Sequence, residues 1–160
     1  MQTGMMRLRE LTVRYEVRKD HEGQPIVVGR NLGSPRETAS ALMTALQDQP
    51  GEVFAILCVS TKLRVIAYHE VSRGTLDATL VHPREVFKAA LLANAAAIIL
   101  AHNHPSGDPI PSADDVQLTR RLVDAGALLG VDVLDHIIVG RENFTSLRAV
   151  GLFTPRLASD

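Results

Sequence analysis

The stretch that decides the fold, residues 96–115, reads AAIILAHNHPSGDPIPSADD. It opens with an apolar run, which is typical of a strand buried on both faces. His102 and His104 follow with one residue between them, so in a strand their side chains point to the same face. A loop rich in proline and glycine then leads to Ser112 and Asp115, which open a helix with the serine as its N-cap. We therefore predict two imidazoles at the end of a central strand, beside the first turn of a helix.

Two interpretations of this stretch are open. The histidines can be hydrogen-bonded polar groups at a sheet edge, with Ser112 and Asp115 serving only as a helix cap. Alternatively, His102, His104 and Asp115 hold one metal ion, because a helix starting ten residues after His102 returns its first turn to the end of that strand. These three ligands leave a fourth tetrahedral position of Zn2+ for water, whose pKa falls to about 7 in catalytic zinc sites. The combination favours the metal site.

Composition describes a single globular domain over residues 1–160, with its core at about residues 35–153. The chain is 46% apolar and 22% charged, which fits one domain large enough to bury a core. Seventeen Lys and Arg against eighteen Asp and Glu leave a formal net charge of -1, without a long basic run. Aromatic residues make up only 4% of the chain, so platforms for stacking bases are scarce. Nucleic acid binding is therefore possible but unsupported by charge.

Cysteine content and hydropathy indicate the cellular compartment in which the protein is expected. The single cysteine, Cys58, rules out an internal disulfide and a thiolate metal cluster, and we expect it to be a small buried apolar residue. The first ten residues lack the apolar segment and cleavage site of a signal peptide. The longest apolar stretch, residues 89–101, is interrupted by Asn94 and is too short to span a bilayer. We expect a cytoplasmic protein with no membrane partner.

Hydrophobic periodicity predicts an α/β (α+β) fold, with a single-layer mixed β-sheet flanked by helices. The predicted strands cover residues 7–17, 25–28, 52–60, 64–71, 96–101, 131–139 and 144–147. The predicted helices begin at Ser34, His82 and Ser112, where prolines or acidic residues follow in the first turn.

The pattern His102-Asn-His104-Pro, followed by Ser112-x-x-Asp115, resembles the JAMM (MPN-plus) metalloprotease motif. The wider text VHPREVF, AAAIILAHNHPSGDPIPS and VLDHIIVG resembles the RadC family of bacterial proteins, over about residues 52–153. The resemblance implies a JAMM/MPN (cytidine deaminase-like) architecture and Zn2+ held by His102, His104 and Asp115. It also implies that Ser112 assists the tetrahedral intermediate, a role that fits an oxyanion donor.

The resemblance places the family's catalytic glutamate at Glu52, which opens the apolar run after the first helix. Physical chemistry agrees, because an acid at the start of a buried strand needs a partner or a task. The alternative is a solvated residue at a strand end. Glu70, beside His69, is the second candidate for this role, and Glu85 and Asp77 are weaker ones.

Three further sites have both structural and functional interpretations. Asp135 could orient a ligand histidine as part of an Asp135–His136 pair, although a satisfied polar residue in the core is favoured for His136. His82 is expected to end the loop before its helix. Arg120 and Arg121 could contact phosphate, but a solvated helix face is favoured.

The leading functional prediction is a zinc-dependent hydrolase that cleaves a peptide, isopeptide or related amide bond in a peptide or protein substrate. One alternative is an accessory protein of DNA repair or recombination, as the family name suggests. Longer family members carry an amino-terminal helix-hairpin-helix module, whereas the first fifty residues of this sequence predict strands and one helix. The other alternative is a non-catalytic interaction module with the same fold. Neither substrate identity nor oligomeric state follows from the sequence.

Overall fold

The computed structural model of the protein describes residues 11–19, 22–23, 34–74 and 81–156. Within these residues it contains three helices: α1 (Pro35–Leu46), α2 (Pro83–Leu92) and α3 (Ala113–Leu129). It also contains five strands: β1 (Glu52–Val59), β2 (Val65–Gly74), β3 (Ala97–Asn103), β4 (Asp132–Val139) and β5 (Phe144–Ser146). Among the described residues, no helix combines the length and apolar character needed to cross a bilayer.

The strands form one mixed sheet in the order β2-β1-β3-β4-β5. β1 pairs antiparallel with both β2 and β3, β3 runs parallel to β4, and β5 returns antiparallel to β4. The parallel pair is joined by α3, as a parallel connection requires a crossover. β3 therefore lies at the centre, and all seven of its residues are buried. The predicted mixed sheet flanked by helices is confirmed.

Helices cover both faces of the sheet. On one face, Leu42 and Leu46 of α1 pack with alternate residues of β3 such as Ile99. On the other face, α2 and α3 pack against Leu100 and its neighbours of the same parity. Because strand side chains alternate, this division also decides where the polar residues at the end of β3 point.

The amino-terminal strand predicted over residues 7–17 is wrong for the part that the structure describes. Residues 11–17 pair with no strand, and Leu11 and Val17 are 77% and 69% exposed. Alternation of apolar and charged residues does not by itself supply a partner strand. Arg18, just beyond, lies 5.1 Å from the centroid of the Tyr68 ring. The predicted strand at residues 25–28 lies outside the described residues.

In the β1–β2 hairpin, the structure lengthens one predicted strand and confirms that Cys58 is buried. β2 continues to Gly74 rather than ending at residue 71, because it pairs with β1 as far as Glu52. Cys58 is buried within β1, and this burial raises the pKa of its thiol to about 11. An apolar setting of this kind keeps the thiol protonated at neutral pH.

Helix α3 approaches its neighbours closely at Gly126. A Cβ at this position would lie 2.4 Å from Val131 O and 3.2 Å from Phe87 Cζ. The Val131 N–H donates to Gly126 O at 2.9 Å, which turns the chain directly from α3 into β4. The absence of a side chain at residue 126 therefore lets α3 lie against the start of β4 and against α2.

We expect Gly126→Ala to lower the free energy of unfolding by about 1–3 kcal/mol, because the new Cβ overlaps backbone. Helix propensity alone predicts the opposite sign, by about 1 kcal/mol. Leu128→Ala, at a side chain that is 87% exposed, is the control and should change stability by less than about 0.5 kcal/mol. Urea unfolding followed by circular dichroism measures both, and a Gly126→Ala protein as stable as the parent contradicts the close approach.

Candidate metal centre

The end of β3 carries the two histidines onto the face covered by α2 and α3. His102 is 1% exposed, and its ring stacks on Phe54 with the centroids 6.1 Å apart. His104 follows the last residue of the strand, and its N–H donates to Val139 O on β4 at 3.0 Å. Both imidazoles therefore occupy the same side of the sheet, as the strand alternation predicted.

The first turn of α3 brings Asp115 to the histidines. Ser112 Oγ accepts from Asp115 N at 3.1 Å, and Asp115 Oδ2 accepts from Ser112 N at 2.7 Å, which completes a capping box. The same carboxylate places Oδ1 3.2 Å from His102 Nε2 and Oδ2 3.5 Å from His104 Nε2. The helix cap and the metal site, which the sequence offers as alternatives, are combined in the structure, because the cap orients the carboxylate.

The cluster His102, His104 and Asp115 is compact. One candidate ligand atom from each residue lies within 4.8 Å of the others, and the two histidine Nε2 atoms are 2.9 Å apart. Within the part of the chain that the structure describes, no other group of three His, Cys, Asp or Glu side chains converges in this way.

A backbone carbonyl determines which nitrogen of His104 carries the proton. His104 Nδ1 lies 2.7 Å from Asp108 O. A carbonyl oxygen only accepts, so Nδ1 must donate, and the neutral imidazole then has its lone pair on Nε2. The loop between β3 and α3 thus presents His104 Nε2 to the cluster as a ligand atom.

A buried relay of hydrogen bonds determines the tautomer of His102. Thr119 Oγ1 donates to Asp115 O at 2.6 Å, and therefore accepts from His136 Nδ1 at 2.6 Å. His136 Nε2 then has the lone pair and accepts from His102 Nδ1 at 2.8 Å. The lone pair of His102 consequently lies on Nε2, which faces the cluster. Burial lowers the pKa of His136 well below its ordinary value, so this histidine stays neutral, as the relay requires.

The donor set fits a divalent metal ion. With both Nδ1 atoms donating, two Nε2 lone pairs and a carboxylate face one another, an arrangement that needs a cation between them. Two imidazole nitrogens and a carboxylate oxygen are ligands that Zn2+ accepts. Each ligand is also oriented by a hydrogen bond outside the cluster.

A proton can satisfy the same requirement, and the pKa values reflect this. The interaction with Asp115 raises the pKa of His104, with a smaller contribution from the charge of Glu52. Burial alone raises the pKa of the Asp115 carboxyl, but its interactions with the His102 and His104 imidazoles outweigh burial and hold that pKa well below its usual range. Asp115 therefore stays ionised, and protons compete with a metal ion for this centre.

Glu52 and Glu70, the two candidates for the acid/base, occupy different surroundings. Glu52 is the first residue of β1, at the same end of the sheet as the histidines, and its charge acts on His104. Glu70 on β2 is held by Arg73 at 2.7 Å and Arg18 at 3.4 Å, and the Arg73 hydrogen bond lowers its pKa. This geometry favours Glu52, and the catalytic assignment stays a prediction. Glu85 pairs with Lys88 on the surface, and Asp77 lies outside the described residues.

The structure agrees with the favoured interpretation of His136 as a satisfied polar residue of the core, which is 0% exposed with both ring nitrogens hydrogen-bonded. Asp135 accepts from Ser146 Oγ at 2.6 Å and from two backbone N–H groups, and no hydrogen bond joins it to a ligand. His136, interpreted above as a core polar group, contacts His102 directly, and Thr119 was not identified from the sequence. Two signals could have found them: His136 follows the parity of Ile138 on the α3 face, and Thr119 lies one helical turn after Asp115.

The remaining polar residues lie at the start of α2 and in the middle of α3. His82 precedes α2 as its N-cap without a side-chain cap bond, as expected for the end of a loop. Arg120 is exposed, in agreement with a solvated helix face. Arg121 instead donates to Val81 O at 2.8 Å and ties α3 to the residues before α2.

Comparison with known proteins identifies a family. The sequence profile described as the RadC-like JAB domain matches residues 32–152. A UPF0758 protein of Desulforamulus reducens is 50% identical over 118 residues, which are 74% of this chain and 52% of that protein. A UPF0758 protein of Desulforudis audaxviator is 44% identical over 150 residues, or 94% of this chain and 65% of its own length. One from Methanosarcina barkeri is 45% identical over 122 residues. This chain thus spans about half to two thirds of the length of these curated relatives.

We expect Thr119→Val to weaken Zn2+ binding by about 10–100-fold, because valine removes the acceptor that orients His136 and, through it, His102. Thr38→Val is a matched control, since Thr38 is a buried threonine of α1 whose hydroxyl also donates to the carbonyl four residues earlier. Competition titration with a chromogenic chelator measures both affinities. Equal affinities in the parent and Thr119→Val proteins would show that the relay does not support the ligand.

Proposed function

Because the chain belongs to the RadC-like JAB domain family, we propose that it is a zinc-dependent hydrolase that cleaves a peptide, isopeptide or related amide bond. The observation that carries the proposal is the convergence of two imidazoles and one carboxylate at the end of β3, and the hydrogen bonds of both Nδ1 atoms support ligation through Nε2. The fold agrees with a JAMM/MPN-type domain, the architecture of this family. The names of the relatives state no activity, so the reaction is inferred from the chemistry of the site.

His102 Nε2, His104 Nε2 and the Asp115 carboxylate would hold the zinc ion. When bound, zinc polarises a carbonyl oxygen and lowers the pKa of water. These three protein ligands would leave one coordination position of the ion for a substrate or water. Among the described residues the cluster has no fourth His, Cys, Asp or Glu ligand, which favours a catalytic over a structural role.

Glu52 would move the proton. In amide hydrolysis a base must take a proton from the attacking water and deliver it to the leaving nitrogen. Glu52 begins β1 at the same end of the sheet as His102 and His104, and its charge acts on His104. A carboxylate that acts there can accept the proton on one oxygen and return it to the departing amine from the same oxygen.

Ser112 would stabilise the oxyanion. Its Oγ already accepts from Asp115 N, so the hydroxyl proton is available to be donated. The residue lies at the amino terminus of α3, where the helix dipole favours negative charge. A hydroxyl donor and a helix terminus beside the same ligand, Asp115, together suit a developing oxyanion.

The two alternative functions predict different observations. A DNA-associated accessory protein must bind DNA with an affinity that falls steeply as salt rises, because phosphate contacts release counterions. The formal net charge of -1 gives that function no support. A non-catalytic module would keep zinc and fold yet show no turnover with any amide substrate.

We expect the purified protein to contain about one zinc ion per chain and His104→Ala to lose it, because two ligands hold zinc far more weakly than three. His82→Ala is the control, since His82 is exposed and outside the cluster. Inductively coupled plasma mass spectrometry measures the metal content. Stoichiometric zinc that survives replacement of both His102 and His104 refutes the assigned centre.

We expect Glu52→Gln to reduce turnover by about 10²–10⁴-fold while zinc content and the unfolding midpoint stay unchanged, because only proton transfer is removed. A mixture of peptides and isopeptide-linked conjugates, followed by mass spectrometry, reveals cleavage. Glu70→Gln is the matched control, because Glu70 is the second candidate acid. Activity that survives Glu52→Gln and disappears in Glu70→Gln transfers the role to Glu70.

A further inference from the structure

Strands β1 and β3 separate at the metal centre. Their last paired residues are Phe54 and His102. Beyond this pair β3 stays beside β4, through the Asn103–Val139 pair and the His104 N–H, which donates to Val139 O. The backbone of β1 immediately before Phe54 therefore loses its strand partner on this side, at the point where Glu52 begins the strand.

The side chain of Asn103 spans the gap between the separated strands. Asn103 is 1% exposed and follows His102 as the last residue of β3. Its Oδ1 accepts from Val53 N at 2.7 Å, and its Nδ2 donates to Gly51 O at 3.1 Å. The two bonded backbone groups belong to the residues on either side of Glu52.

We propose that Asn103 is a positioning residue that holds the backbone of Glu52 beside the His102–His104–Asp115 cluster. Its catalytic consequence rests on the proposed function, because Glu52 must be the acid/base for its position to affect a reaction. The tether itself is a property of the fold. Through it, residues 102–104 would supply both histidine ligands and the support for the base.

The chemistry of asparagine suits this task. A side-chain amide carries one donor and one acceptor group, as a peptide group does, so it replaces the missing strand neighbour. Aspartate keeps an acceptor for the Val53 N–H but offers no donor to Gly51 O. Alanine leaves both backbone groups without a partner. Asparagine, aspartate and alanine at residue 103 therefore make two, one and no hydrogen bonds to the backbone on either side of Glu52, and none of these substitutions changes a metal ligand.

The first experiment measures amide hydrogen exchange by NMR in the Asn103→Ala and Asn103→Asp proteins. We expect the Val53 N–H to exchange at least about 10-fold faster in Asn103→Ala, relative to Leu57 N–H of the same strand, since its acceptor is gone. Asn103→Asp should keep Val53 protected. The ratio to Leu57 removes any change in global stability.

Ser146→Ala is the matched control for the exchange experiment. Ser146 is also buried and makes two hydrogen bonds, to Asp135 and from Ala149 N, at the far edge of the sheet. It should leave the ratio of Val53 to Leu57 exchange unchanged. A ratio that is equal in Asn103→Ala and Ser146→Ala overturns the tether.

The second experiment tests whether the tether acts through Glu52. The visible absorption spectrum is recorded as a function of pH for four Co2+-loaded proteins: the parent, Asn103→Ala, Glu52→Gln and the double variant. The midpoint is the pH at which half of the spectral change has occurred. We expect Glu52→Gln to shift the midpoint by on the order of one pH unit, Asn103→Ala to shift it less in the same direction, and the double variant to match Glu52→Gln.

The outcomes distinguish a failure of positioning by Asn103 from a failure of the proposed role of Glu52. An Asn103→Ala shift of the same size with and without the Glu52 carboxylate overturns positioning through Glu52. A midpoint that Glu52→Gln leaves unchanged, in protein whose Val53 exchange responds as expected, overturns the proposed role of Glu52 and leaves the tether established.

Discussion

The burial of His102 at the carboxyl end of β3 is the constraint on which the rest of the site depends. A polar side chain that is 1% exposed must have its hydrogen-bonding groups satisfied, or the fold loses stability. β4 meets this requirement by placing His136 within 2.8 Å of Nδ1. The second nitrogen is then directed at the cluster, where only a proton or a metal ion can complete the arrangement.

The relay behind His102 links the fold to the centre. Thr119 bonds the backbone carbonyl of Asp115, and the Asp115 carboxylate faces His102, so ligands from α3 and β3 share one chain of contacts. Thr119 and His136 each have a donor and an acceptor partner, which is the condition under which a buried polar network favours one conformation. The hydrogen bonds that hold α3 against β4 are therefore the same bonds that orient the ligands. The close approach at Gly126 belongs to that contact as well.

Much of this could be predicted from residues 96–115, because burial, alternation and capping are local rules. They brought His102, His104 and Asp115 together correctly, and they placed Ser112 at the helix start. The prediction of the amino-terminal strand failed because an alternating pattern also needs a partner strand, and residues 11–17 pair with none in the part of the chain that the structure describes. The contact of His136 with His102 was not predicted, because a side chain's neighbours depend on which strand face α3 covers. Local pattern carries no such information.

By itself, the sequence determined the mixed α/β architecture, the family and the identity of the three clustered residues, since these follow from periodicity and motif spacing. Only the tertiary structure decided the tautomers. They depend on Asp108 O and on Thr119 and His136, whose positions result from packing α3 against β4. It also decided the setting of Glu52, through the separation of β1 from β3 and the Asn103 side chain that spans it. The physical reason is that a hydrogen bond between residues distant in the chain exists only once the elements between them have packed.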